Sequence, residues 1–358
     1  MIFNNNLKLH VSLKTICENY EKIKSFTKRD VAVVLKANAY GLGMGALAGP
    51  LVEAGAGTIF VATVCEGVAL RQLVGTGVTI FVLNAFHRND LLYFDQAQLR
   101  PVICSVEQLK LWRAHSDAPI ILHFDTGMNR LGLNEDEVGE VLENLKGARV
   151  DYVMSHMACA EHPDDPHNAR QLARFKSIIQ HFPGAQYSLA ASESLNLPDD
   201  YFFHMLRIGK ALYGSIQPFP GKVTENLKFT FKTQARILQT RILQKGDSIG
   251  YGATYVAPES KNIATIGVGF ADGLPRACSN QGVVYVGDHE APILGRVSMD
   301  LTVIDVSHIP SELISTETWV DLIRDRRTFY KQAADSNSGI YELVTRLGNR
   351  YARIYDKT

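Results

Sequence analysis

Between residues 31 and 209, short runs rich in β-branched and aromatic residues recur eight times, and this recurrence restricts the fold more than any other feature. The runs are VAVVL (31–35), TIFVAT (58–63), TIFVLN (79–84), PVICS (101–105), IILHF (120–124), RVDYVMS (149–155), YSLAAS (187–192) and FHMLRIG (203–209). Segments of helical periodicity over 12–26, 105–115, 136–146 and 166–182 separate several of them. Strands alternating with helices specify a parallel sheet, because each helix carries the chain back to start the next strand in the same direction. Eight such units can close into a (β/α)8 TIM-like barrel whose chemistry lies at the carboxyl ends of the strands. The eighth run, FHMLRIG, also reads as a buried turn of helix.

Beyond about residue 226 the texture changes to short strand-like runs divided by Gly, Asp and Pro: 227–243, 247–257, 262–271, 282–288, 291–306 and 318–323. The expected architecture is therefore α/β, an eight-stranded parallel barrel over 1–226 followed by a mainly β domain over 227–358, with the first few residues open to joining the latter. A length of 358 residues agrees with two cores, since single cores stop growing well before that.

Thirty-seven basic residues balance thirty-seven acidic ones without long blocks of one sign. Such a chain has no electrostatic footprint for nucleic acid or an anionic membrane, which leaves a small neutral or zwitterionic ligand as the natural partner. Cys17, Cys65, Cys104, Cys159 and Cys278 are odd in number and form no C-x-x-C pair, so neither a disulfide framework nor a metal site is expected. Reduced cysteines, the absence of a signal-like start in MIFNNNLKLH, and uncharged stretches (37–52, 72–86) too short and broken to span a bilayer all point to a cytoplasmic protein.

Lys36 ends the first apolar run and precedes A-N-A-Y-G-L-G, where glycines suit a tight βα turn. A strand-end lysine taken alone belongs in solvent. Desolvated at a barrel's catalytic face, its amine shifts towards neutrality and becomes a nucleophile for a carbonyl cofactor.

The segments VLKANAYGLG, HFDTGMNRLG, MSHMACA, RIGKALYG, SIGYGAT, GFADG, GRVSMD and YELVTRL follow one another in that order, and together they resemble the alanine racemase family over nearly the whole chain. The resemblance implies a fold-type III barrel with a C-terminal β domain, pyridoxal 5'-phosphate as cofactor, and a head-to-tail homodimer in which the β domain reaches the partner's active site. By it, Lys36 holds the cofactor covalently and, once displaced by substrate, serves one face of the α-carbon, while Tyr251 of the other subunit serves the opposite face. Two bases suit racemisation because the proton must return on the side opposite its removal. Arg207 matches the arginine facing the pyridine nitrogen, His156 the histidine supporting it, and Arg130 the arginine near the cofactor's phenolic oxygen and the substrate carboxylate. Tyr40, Ser192, Tyr341 and the backbone N–H groups of Gly209 and Lys210 match the phosphate site. Met299 matches the residue whose backbone amide, supplied by the partner subunit, meets the substrate carboxylate, with Asp300 organising that segment.

Each residue also has a structural alternative: a packing tyrosine for Tyr40, Tyr251 and Tyr341, a helix cap for Ser192, a satisfied core histidine for His156, and ordinary ion pairs for Arg130 and Arg207. The sequence departs from the family pattern at Leu42 and Ile208, which concern packing. It also departs at His123, where many members carry a carbamylated lysine that orients the arginine corresponding to Arg130, and at Ala191, Lys210 and Phe270. Lys210 is open to either a phosphate contact or solvent. The resemblance implies interconversion of L- and D-alanine. A racemase of serine, lysine or broad range, a non-catalytic pyridoxal-phosphate-binding protein, and a decarboxylase on the same scaffold remain alternatives.

Overall fold

The computed structural model describes residues 6–145 and 147–356. Residues 1–5, expected as open to joining the β domain, and residue 146, the last of the expected helix 136–146, lie outside the described residues. Two compact units divide the chain: one holds Thr15–Ala39 and Gly43–Lys228, the other the described residues up to Lys14, Tyr40–Leu42 and those from Phe229 onward.

Strand β1 (Leu7–Val11) belongs to the second unit. The next eight strands build the first: β2 (Asp30–Val34), β3 (Thr58–Val61), β4 (Thr79–Val82), β5 (Leu99–Ile103), β6 (Ile120–His123), β7 (Val150–Met154), β8 (Gln186–Ser188) and β9 (Met205–Ile208). They pair in the order β8-β7-β6-β5-β4-β3-β2-β9. The ring closes through an isolated bridge between Ala191 and Arg207 and through the His204 N–H donating to Tyr187 O at 3.0 Å. The expected parallel barrel is present, and the eighth run is a strand rather than a turn of helix. Val31–Val34 are all buried, as strands covered on both faces require. Strand β5 starts at Leu99, two residues before its expected start at Pro101. A proline normally marks the first residue of a strand, but here Leu99 and Arg100 pair ahead of it.

Helix starts in this unit follow their local signals. Thr63 and Glu66 form a capping box at the start of Val64–Val74, Ser105 caps Val106–Arg113, and Asp165 caps Pro166–Ile179 with proline in the first turn. The expected helix 136–146 is a 3-10 turn at Glu135–Glu137 continuing as Val138–Leu145.

The second unit is mainly β, as expected. Strand Phe231–Leu243 is its organiser, pairing with β1, Trp319–Ile323 and Lys261–Ile266, with register shifts at Thr233/Gln234 and Ile237/Gln239. Its pairing with Lys261–Ile266 closes a ring through Thr302–Asp305, His289–Leu294, Val283–Val286 and Trp319–Ile323, so these strands present no open edge. β1 and Ala352–Tyr355 extend the sheet from it. Two expected strands are interrupted. In 247–257 only Ser248–Ile249 and Tyr255–Val256 pair, because Gly250 and Gly252 take φ of +65° and +74° and fold the intervening residues into a turn. In 291–306 pairing stops at Leu294 and resumes at Thr302. Helices Arg326–Asp335 and Ile340–Thr345 complete the unit. No helix among the described residues is long and apolar enough to cross a membrane.

Candidate active site

Lys36 stands just past the carboxyl end of β2, half-buried, and its Nζ makes no hydrogen bond among the described residues. The backbone then enters a left-handed turn in which Ala37, Asn38, Ala39 and Tyr40 take φ of +52°, +55°, +54° and +57°. The glycines expected to make this turn, Gly41 and Gly43, follow it instead. L-residues resist this conformation by about 1–2 kcal/mol each, so tertiary contacts must enforce it. Ala37 N–H donates to Glu66 Oε1 at 2.7 Å, Ala39 N–H to Leu35 O at 2.8 Å, and Gly43 N–H to Asn38 O at 2.9 Å. Asn38 Oδ1 accepts from Met44 N–H at 2.8 Å, at the start of helix Met44–Glu53.

Burial lowers the Lys36 pKa most, followed by the charge of Arg130; Lys210 and Arg207 act in the same sense and Glu66 opposes them. The amine is therefore neutral over a wider pH range than a solvated lysine.

Arg207, in the middle of β9, is buried, and no carboxylate pairs with it among the described residues. Its Nη1 donates to Ser188 O (2.9 Å) and Ser188 Oγ (2.6 Å); its Nη2 donates to Ser155 O (2.6 Å) and Leu189 O (3.4 Å). Burial brings its pKa down to about 10, which leaves the guanidinium charged at neutral pH. Nη2 also lies 3.4 Å from His156 Nδ1. A guanidinium only donates, so Nδ1 is the acceptor and the neutral imidazole carries its proton on Nε2. Burial, then Arg207, holds the His156 pKa well below the ordinary histidine value, so the ring is neutral.

Arg130 is exposed on a loop that its own sequence shapes. Asp125 accepts from the N–H groups of Gly127 (2.7 Å), Met128 (2.9 Å) and Arg130 (3.1 Å), and Asp125 N–H donates to Leu133 O at 2.8 Å. Gly132, at φ +140°, lies where a Cβ would stand 2.7 Å from Asp125 N, so only glycine fits. The Arg130 guanidinium has no hydrogen-bond or ion-pair partner among the described residues. His123, the departure from the family lysine, is buried and closest in polar contact to Cys104 Sγ at 3.7 Å.

Ser192 Oγ accepts from Gly209 N–H (3.0 Å) and Ala211 N–H (3.1 Å) at the turn Lys210–Tyr213, and makes no cap bond to its own turn Glu193–Asn196. No acceptor among the described residues takes the Ser192 hydroxyl proton. Lys210 Nζ lies 3.2 Å from Glu193 Oε1, an ion pair rather than open solvent.

In the second unit, the Tyr40 and Tyr341 rings meet edge to face with centroids 5.3 Å apart, and burial pushes the Tyr40 phenol up. Gly41 secures the approach: a Cβ there would fall 2.1 Å from Val344 O. Tyr251 sits in the turn Tyr251–Ala253 and is 72% exposed, so it is not the packing residue of a strand. Met299 (55% exposed) and Phe270 (42%) lie on adjoining backbone, with Ala271 N–H donating to Met299 O at 3.1 Å and Phe270 N–H to Ser298 O at 3.0 Å. The Met299 N–H itself has no partner among the described residues. Arg350 ties this region together through Asp272 and Asp300, each at 2.7 Å.

Glu66 and Ser188 were not anticipated. Glu66 had a readable signal, T-V-C-E directly after a strand, but that pattern announces only a helix start. Ser188 had none, since its partner Arg207 is brought to it by barrel closure.

The profile for "Alanine racemase, N-terminal domain" matches residues 11–217 and that for "Alanine racemase, C-terminal domain" residues 230–355. An alanine racemase of Rickettsia conorii is 38% identical over 356 residues, covering 97% of this chain and 98% of that one. One from Brucella suis is 38% identical over 368 residues, covering 97% and 93%. The alanine racemase from Bartonella henselae, solved with covalently bound pyridoxal phosphate, is similar at a TM-score of 0.91 with 32% identity, covering 98% of this chain and 99% of that one. The biosynthetic alanine racemase from Pseudomonas aeruginosa is similar at 0.90 with 30% identity, covering 98% and 99%. Both units are matched, and the likeness runs unbroken from barrel to β domain: the chain belongs to the alanine racemase family.

Proposed function

We propose that the protein interconverts L- and D-alanine, with pyridoxal 5'-phosphate held at Lys36 and with active sites completed by a second copy of the chain. The observation that carries this reading is a half-buried amine without a hydrogen bond at a barrel strand's carboxyl end, whose charged form the charges of Arg130, Lys210 and Arg207 disfavour. The donor set fits the cofactor. Lys210 is paired with Glu193, but Arg130 and Arg207 have no carboxylate partner among the described residues and suit an anion, and the Ser192 hydroxyl, already accepting two N–H bonds, has its proton left for a phosphate oxygen. The Gly209–Lys210 backbone would add to that phosphate site, although Gly209 N–H is directed at Ser192 here.

Pyridoxal phosphate, when bound, supplies the electron-withdrawing ring that makes the α-hydrogen of an attached amino acid acidic. Lys36, whose charged form burial and the charge of Arg130 disfavour, would take or return that proton on one face. Tyr251, standing in solvent on its turn, would do so on the opposite face of the partner's site. Arg207 keeps its charge and carbonyls fix its Nη atoms, so it would present only N–H donors to the cofactor's ring nitrogen and would not protonate it. By withholding a proton from that nitrogen, Arg207 would temper the electron withdrawal and favour prompt return of the proton over side reactions. The Arg130 guanidinium of one copy and the Met299 N–H of the second copy, both without partners among the described residues, would suit the substrate carboxylate.

The test is to incubate the cofactor-loaded protein with a panel of L-amino acids in deuterated water and follow α-hydrogen exchange and chirality. Exchange with inversion for alanine, ahead of serine and lysine, is expected. No exchange with any amino acid overturns the reading.

A further inference from the structure

Glu66 joins two stretches of backbone remote from each other in sequence, the turn after Lys36 and the segment 62–66. Its Oε1 accepts from Ala37 N–H at 2.7 Å, the first amide after Lys36 and the first residue of the left-handed turn. Its Oε2 accepts from Ala62 N–H at 2.7 Å and Thr63 N–H at 3.2 Å, at the carboxyl end of β3 and the start of the following helix. Its own N–H donates to Thr63 Oγ1 at 3.3 Å. A helix cap needs only the Oε2 and Thr63 contacts; the bond to Ala37 lies outside the cap. Lys36 follows β2, the strand beside β3 in the barrel, and Leu35 N–H already donates to Phe60 O at 2.9 Å. The carboxylate extends this strand-to-strand registration past the sheet and into the turn, where four L-residues occupy a conformation they do not choose unaided. Glu66 is also the carboxylate among the charged groups acting on Lys36, opposed by Arg130, Lys210 and Arg207.

We propose that Glu66 is a positioning residue for Lys36, its two carboxylate oxygens clamping the turn after the lysine to the end of the neighbouring strand. The clamp rests on the reading of Lys36 as a base: a base must sit within hydrogen-bond reach of the proton it moves, and a turn free to relax to right-handed dihedrals would swing its Cα–Cβ bond away.

The test compares Glu66→Gln with Thr63→Ala in the full chain loaded with pyridoxal phosphate. The glutamine keeps the shape but presents N–H groups to one of the amides that the carboxylate accepts. The alanine removes the cap hydroxyl and leaves the clamp. Three quantities are read: the thermal midpoint, hydrogen exchange of the amides at 36–40, and kcat and KM for alanine. A clamp predicts that Glu66→Gln speeds exchange at 36–40 about tenfold and lowers kcat about tenfold or more with KM little changed. Thr63→Ala then lowers only the thermal midpoint. If Glu66→Gln does no more than Thr63→Ala, with exchange and kcat unmoved, the proposal is overturned. A wild-type protein that racemises nothing, combined with faster exchange in Glu66→Gln, upholds the clamp and overturns its use in catalysis. Should Glu66→Gln fail to fold, Glu66→Asp, which keeps the charge on a shorter arm, is read by the same measures.

Discussion

His123 Nδ1 and Cys104 Sγ meet at 3.7 Å, both side chains buried behind the site, and neither is charged at neutral pH. Burial, then Arg207, pushes the histidine down to about 4, against a smaller opposing effect of Asp125; burial pushes the thiol up to about 12. The folded-state pKa of His123 lies below its unfolded value, so the unfolded chain binds the proton more readily. This residue's contribution is therefore complete above pH 6.5 and is lost as pH falls towards 4, amounting to about 3 kcal/mol over that window. His123→Gln should flatten the fall in thermal midpoint between pH 7 and pH 4.5 relative to wild type. Parallel curves would mean that His123 is not the titrating group.

Ser188 supports Arg207 from two sides, its Oγ accepting from Nη1 at 2.6 Å and donating to Met205 O at 2.7 Å. Ser188→Ala removes a bond to a charged donor and strands a buried carbonyl, a cost of about 2–3 kcal/mol. Chemical denaturation of the variant measures it. Racemisation should fall less than in Arg207→Ala, because Ser188 O and Ser155 O still hold the guanidinium.

How far the sequence discloses this arrangement depends on the range of the interactions. The barrel strands are legible because Val31–Val34 and their counterparts are apolar on both faces, a local property of buried parallel strands. The turn after Lys36 is not, since of Ala-Asn-Ala-Tyr only Asn38 adopts positive φ readily; Glu66 and Asn38 impose it on the rest once the strands are assembled. Lys210 and Glu193 form a pair 17 residues apart that only barrel closure brings together, which is why neither solvent nor phosphate alone described that lysine. β1 alternates buried and half-buried residues as a strand should, but its partners, such as Thr233 opposite Leu9, lie at the far end of the chain. The interrupted run around Tyr251 shows the reverse case: its glycines were visible, and they outweigh the β-branched residues flanking them.

Gly269 is fixed by the Met299 segment. A Cβ there would stand 2.2 Å from Met299 O and 2.3 Å from Ser298 O, both backbone atoms with no room to yield. Gly269→Ala must push the 298–301 turn away, breaking Ala271 N–H to Met299 O and disturbing the Arg350 bridge from Asp272 to Asp300. The expected outcome is a raised KM for alanine with far-ultraviolet circular dichroism close to wild type. An unchanged KM would detach Met299 from substrate binding.

Lys36 and Tyr251 provide the sharpest test of a shared site. If each active site takes its lysine from one subunit and its tyrosine from the other, Lys36→Ala and Tyr251→Phe are each inactive as homodimers. In a mixed dimer, one site carries both substitutions and is dead, while the other combines an intact Lys36 with an intact Tyr251 and works. Unfolding and refolding an equimolar mixture with pyridoxal phosphate should then restore roughly a quarter of wild-type activity, since half the dimers are mixed and each has one working site of two. A site built from a single subunit would leave the mixture inactive. Tyr251 is 72% exposed on its turn, which suits a side chain that acts on a neighbouring copy.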